Sequence, residues 1–201
     1  MADHVSATQG AESGGAPRVV WTALARGEPS GLSRYLYFHA GPPVEVESGW
    51  PRGPWHGPLV VAEVRLPGGS HWTGVFEGMS THFPLCEVRL LPEGRRLLVL
   101  AFGSGYVVDV EIPSSAFLVP GIPLIGVREV PGVPLVIVWG FQDMIAFGPE
   151  GEAWRIEYLV PDCMEVRSVT AERIQGGRDD MDDRMFDFDV DPRTGHVRAS
   201  W

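Results

Sequence analysis

The sequence predicts an all-β protein whose antiparallel meanders form a two-sheet sandwich or a partly open barrel. Three observations carry that expectation. From Arg18 onward, short β-branched and aromatic runs recur every eight to twelve residues. The 25 Gly and 18 Pro lie between those runs without a fixed period, which marks turns and excludes a collagen repeat. No window of ten or more residues keeps a helical period free of both Pro and Gly.

The elements follow in chain order. Residues 1–16 are small and polar and read as a disordered tail, which leaves 17–201 as a single all-β domain. Residues 59–66 read as a strand, Pro67-Gly68-Gly69 as its turn, and 71–76 as the partner strand. Residues 86–91 alternate, with Cys86, Val88 and Leu90 on one face and Glu87 and Arg89 on the other. Pro92-Glu93-Gly94 turns the chain into 96–102, and Gly103-Ser104-Gly105 turns it again into 106–112. The same device returns at 135–139, 144–147, Pro149-Glu150-Gly151 and 153–158. The runs at 97–100 and 135–139 do not alternate, so they are expected to be covered on both faces. They start 38 residues apart, close to the period of a propeller blade, so a small propeller-like arrangement of blade-like repeats is the alternative architecture.

Length and charge bound the function. A chain of 201 residues is long enough to bury about 70% of its unfolded surface, so its stability needs no disulfide or metal. The net charge of −10 disfavours nucleic acid and anionic membranes as partners. All 16 basic residues are Arg, and Arg95-Arg96 is the one adjacent pair. Lys and Asn do not occur, which reads as the codon bias of a GC-rich genome. The first sixteen residues lack a basic segment followed by an apolar core, so no secretory leader is expected. The longest apolar stretches, 97–102 and 134–139, fall far short of the ~20 residues a membrane helix needs. With two cysteines and no disulfide framework, the expected setting is the cytoplasm of a bacterium.

The sequence holds no nucleophile elbow, phosphate loop, dinucleotide fingerprint or zinc-protease motif. Ser104 lies between two glycines at an expected hairpin tip, without the strand-to-helix turn that a nucleophile needs. Cys86 reads as an inward-facing small hydrophobe, and Cys163, after Pro161-Asp162, as a bend residue with no histidine beside it. His4, His39, His56, His71, His82 and His196 share no ligand spacing with one another or with Cys, so a histidine-built site would require the fold to bring them together. Trp50 and Trp55 lie in a segment rich in Gly and Pro, where two indoles either anchor a partner or cap the core.

The feature that departs from this background is acidic. Residues 179–191 contain Asp179, Asp180, Asp182, Asp183, Asp187, Asp189 and Asp191 against one arginine. Phe186, Phe188 and Val190 alternate with Asp187, Asp189 and Asp191, as in a half-buried strand with an outward carboxylate stripe. Gly176-Gly177-Arg178 and 179–183 read as a loop before it, and 196–199 as a return strand after the turn at 191–195. The Asp-x-Asp-x-Asp string is not a calcium loop, because Arg198 stands where the bidentate Glu is required. Carboxylates two residues apart on a strand stand roughly 6.6 Å apart, so three span too far for one ion, while two neighbours with the loop aspartates could share one.

Two functions are compatible with these residues. One is a non-enzymatic acidic β-module of the immunity or assembly type, which binds a basic partner protein through the aspartates and Trp50 and Trp55 and needs no cofactor. The other is a small metal-dependent enzyme or ligand-binding domain, with a divalent ion held by the Asp cluster and the N-terminal histidines.

Overall fold

The computed structural model describes residues 4–9, 16–25, 32, 34–47, 57–121, 123–161, 163–179 and 185–200. These form eighteen strands and one short 3-10 turn, with no α-helix among the described residues. The strands make four sheets, none of them closed into a barrel. Where the sequence suggested one domain over 17–201, the chain divides into two compact units. The first comprises Met1–Leu90 and Gly94–Pro120, the second Leu91–Glu93 and Gly121–Trp201.

The first unit contains β1 (His4–Gln9), β2 (Arg18–Leu24), β3 (Tyr35–Phe38), β4 (Val44–Val46), β5 (Leu59–Arg65) and β6 (His71–Glu77). These form a six-stranded sheet in the order β1-β2-β5-β6-β3-β4. Against it packs a four-stranded sheet of β7 (Cys86–Leu90), β8 (Arg96–Ala101), β9 (Ser104–Asp109) and β10 (Phe117–Leu118). The inward positions of both sheets, among them Val19, Trp21, Ala62, Val64, Val88, Leu97, Val99 and Val108, form one core. This unit is a two-sheet sandwich. Phe38 and Phe76 stack at 4.3 Å, with Tyr106 of the facing sheet 5.4 Å from Phe76. Two hydrogen bonds then tie sheet to sheet. The Tyr106 hydroxyl donates to the Glu77 carbonyl at 2.7 Å, and the Trp72 indole N–H donates to the Val110 carbonyl at 2.8 Å.

The second unit repeats the plan with two four-stranded meanders. One is β11 (Leu124–Glu129), β12 (Val136–Gly140), β13 (Met144–Gly148) and β14 (Gly151–Ile156). The other is β15 (Glu165–Val169), β16 (Ile174–Asp179), β17 (Met185–Val190) and β18 (Val197–Ser200). Ile137, Trp139, Met144 and Ala146 of the first pack with Val166, Ile174, Phe188 and Val190 of the second. Here too an indole crosses, for Trp154 donates to the Pro192 carbonyl at 2.7 Å. Both tryptophan ties span 38 residues of chain, the same spacing that relates the two apolar runs.

Those runs are buried on both faces, as their lack of alternation implied: every residue of β12 and β13 is buried, as are 97–101 of β8. Several local expectations need correction. His4–Gln9, placed in a disordered tail by composition, is a strand paired with β2 over six consecutive positions. The β8–β9 turn is Phe102-Gly103, not Gly103-Ser104-Gly105. Ala101 pairs with Ser104, and both turn residues have positive φ, +46° and +91°. That combination is the type I′ geometry that suits strand twist. Phe102 holds it because its N–H donates to the Leu85 carbonyl while its own carbonyl accepts from Met79 and Ser80. One pairing, β3 with β6, is parallel. After β9, the Asp109 carboxylate accepts from the N–H groups of Glu111 and Ile112 and from Arg95. Burial alone would raise that carboxyl, but the three donors outweigh it and hold it below the usual carboxylate range.

Replacing Trp154 by Phe keeps the ring in the core and leaves the Pro192 carbonyl without its donor. The variant should lose about 1–3 kcal/mol of unfolding free energy in urea, with an unchanged slope. A variant as stable as the parent would show that the tie contributes nothing.

Candidate functional site

The acidic stripe lies on the sheet formed by β15 to β18, and its central hairpin explains its shape. β16 and β17 pair without a slip over six positions, from Ile174 opposite Val190 to Asp179 opposite Met185. Gly176 and Gly177 belong to β16, so the loop expected at 176–178 is strand. The reason is steric. Phe188 sits directly opposite Gly176, and a Cβ there would meet its ring at 2.5 Å and run into the Glu165 carbonyl. The glycine therefore accommodates a ring and does not mark a break. On β17 the alternation is as expected where side chains are described: Phe188 and Val190 are buried, Asp187 is exposed and Asp189 half-buried.

The carboxylates have partners that the sequence reading missed. Arg167 on β15 donates to Asp187 at 2.7 Å, and Arg173 lies 3.4 Å from Asp189. Arg198 on β18 stands opposite Asp189 in register. The hydrogen bond to Asp187 raises the Arg167 guanidinium above its ordinary value. Asp191 serves the turn instead, accepting from the Arg193 N–H at 2.8 Å while its carbonyl accepts from Gly195. Thus the three alternating aspartates do different work. Two belong to a mixed Arg/Asp face and one closes the β17–β18 turn. Arg167, Ser168, Gln175, Asp187, Asp189 and Arg198 line a shallow concavity of about 470 Å³ on that face. The signal for the arginines was present in sequence, since Arg167 and Arg198 each fall at outward positions of alternating strands.

Charge is unequal between the units. The second holds 16 acidic residues against 8 arginines, whereas the first holds 10 against 8. Eight of the ten net negative charges therefore belong to the second unit. The densest run, 179–183, begins at the last residue of β16, and residues 180–184 join β16 to β17. Asp180, Asp182 and Asp183 lie outside the described residues, as do Trp50, Trp55 and His56.

The other candidates take structural positions. His39 stacks on Tyr37 at 5.8 Å, and its Nδ1 accepts from the Gly41 N–H. His82 is hydrogen-bonded to the Ser80 hydroxyl at 2.8 Å, and His71 opens β6. Among the described residues, no three His, Cys, Asp or Glu side chains group as a metal site. Cys86 is half-buried, and burial pushes its thiol up to about 11, against a weaker opposing hydrogen bond from the Phe102 backbone. Cys163 is exposed and has a φ of +52°. Ser104 is the first residue of β9. A second concavity, about 620 Å³, lies in the first unit, lined by Arg34, Glu45, Tyr35, Leu36, His71 and Trp72, and Arg34 donates to Glu45 across it at 2.6 Å. No family model matches the chain, and no curated protein is significantly similar to it.

Because Asp187 and Asp189 are each paired with an arginine, neutralising them removes attraction. An Asp187→Asn, Asp189→Asn variant should be less stable by under about 1 kcal/mol at low ionic strength, because both pairs are substantially exposed. The difference should vanish in high salt, as melting curves across a salt series would show. A variant more stable than the parent at low salt would mean that carboxylate repulsion dominates the face.

Proposed function

We propose that this protein is a non-enzymatic module of the bacterial cytoplasm, whose acidic second unit docks on a basic partner protein. The observation that carries this reading is the charge inequality: the second unit concentrates eight of the ten net negative charges. Within it, Asp179, Asp180, Asp182 and Asp183 fall close together in the sequence between the paired strands β16 and β17. A concentrated negative field steers a basic surface toward it and raises the association rate. The aspartates farther along β17 are matched by Arg167 and Arg173, so the turn end of the hairpin bears the attraction and the mixed face supplies directional polar contacts. Cys86 and Cys163 are not joined in a disulfide, which agrees with a reducing compartment. No helix among the described residues is long and apolar enough to cross a membrane.

An affinity column of the intact protein, loaded with lysate of the source cells, tests the reading. It should retain a basic protein that elutes as ionic strength rises from about 0.1 to about 1 M, over which the screening length falls from about 10 to about 3 Å. A column carrying Asp180→Asn, Asp182→Asn and Asp183→Asn should retain markedly less of it. Equal retention on both columns, or retention that does not depend on salt, would contradict acidic docking.

A further inference from the structure

Within the second unit, the link from β14 to β15 is tied to the turn between β12 and β13. The Tyr158 N–H donates to the Asp143 carboxylate at 3.0 Å, and the Leu159 N–H to the Gln142 carbonyl at 2.8 Å. The Gln142 side-chain amide donates to the Pro161 carbonyl, and the Met164 N–H to the Phe141 carbonyl at 2.9 Å. Tyr158 itself has a left-handed backbone, with φ at +55°. That region is costly for a bulky side chain and persists only where surrounding bonds over-determine it. The ring gains little from the fold in return. Tyr158 is 77% exposed, the highest value for a large apolar residue among the described residues.

The tied link holds this ring at a negatively charged place. Met164 leads directly into β15, whose first residue, Glu165, stands opposite Gly177 of β16. Two residues farther along β16, its pairing with β17 ends with Asp179 opposite Met185. The link therefore joins the second unit at the end where the acidic hairpin turns. Glu157 and Glu165 flank the link with side chains 64% and 65% exposed, and their arginines, Arg155 and Arg167, stand off at 4.0 and 3.6 Å. A lone exposed tyrosine needs no explanation. One fixed in a costly backbone among exposed carboxylates does. We infer that Tyr158 is the anchor for an arginine of the basic partner, whose guanidinium stacks on the ring face with Glu157 beside it. A guanidinium is planar and weakly hydrated, so it covers an aromatic face where a lysine ammonium keeps its water. A ring fixed before binding also loses little freedom on being covered. The inference rests on the acidic docking proposed for the second unit and adds to it the residue that tells arginine from lysine.

Titration of the intact protein with a poly-arginine peptide and a poly-lysine peptide of equal length, read by NMR, tests it. The wild type should bind the arginine peptide more tightly, and the arginine Hδ protons should move upfield in the ring current of Tyr158. Tyr158→Ala should weaken the arginine peptide by about two- to fivefold and abolish that upfield shift, with a smaller loss for the lysine peptide. Tyr158→Phe keeps the ring and should bind as the wild type does. If Tyr158→Ala does not fold, cross-relaxation between the Tyr158 ring and arginine side chains in the wild type decides alone, its presence supporting the anchor and its absence overturning it. A folded Tyr158→Ala that binds both peptides like the wild type, while Asp180→Asn, Asp182→Asn, Asp183→Asn loses them, would overturn the anchor and leave acidic docking standing. An equal loss for both peptides would overturn the preference for arginine. Binding of neither peptide by the wild type would overturn both readings.

Discussion

An indole N–H that crosses between sheets holds each unit together at a defined point. Apolar burial drives two sheets to meet, but it is non-directional and tolerates sliding. A buried donor and a buried carbonyl do not, because separating them costs more than the bond gains. Trp72 meets Val110 in the first unit and Trp154 meets Pro192 in the second. In the second unit that bond fixes the chain one residue after Asp191, where the β17–β18 turn begins. The acidic hairpin is thereby anchored at its far end, leaving the Asp179–Met185 end as the place where its charge accumulates.

The architecture was legible because strand periodicity and turn chemistry are local. Alternation at 86–91 and 186–190, and non-alternation at 97–100 and 135–139, specify which faces are buried without knowledge of neighbours. What escaped depended on contacts between distant residues. Gly176 looked like a breaker, but Phe188 lies over it from the next strand. Phe102 has a β-forming identity and a left-handed backbone, which the hydrogen bonds to Leu85, Met79 and Ser80 sustain. β1 was missed because its small polar residues carry a weak strand signal, which pairing with β2 overrides.

The site was half legible for the same reason. The outward stripe of Asp187 and Asp189 follows from alternation. Its neutralisation by Arg167 and Arg173 follows only from the order of strands in the sheet, which sets β16 between β15 and β17. Once those pairs are formed, a long uniform negative face becomes a mixed one, and the net charge is carried by the run at 179–183.

The most direct test of acidic docking is an NMR titration of the whole protein with a short arginine-rich peptide, followed by a repeat in high salt. Amide shifts should cluster in 174–190, strongest toward 179–185, and disappear when salt screens the hairpin. Shifts spread evenly over both units, or centred on the first, would contradict the account.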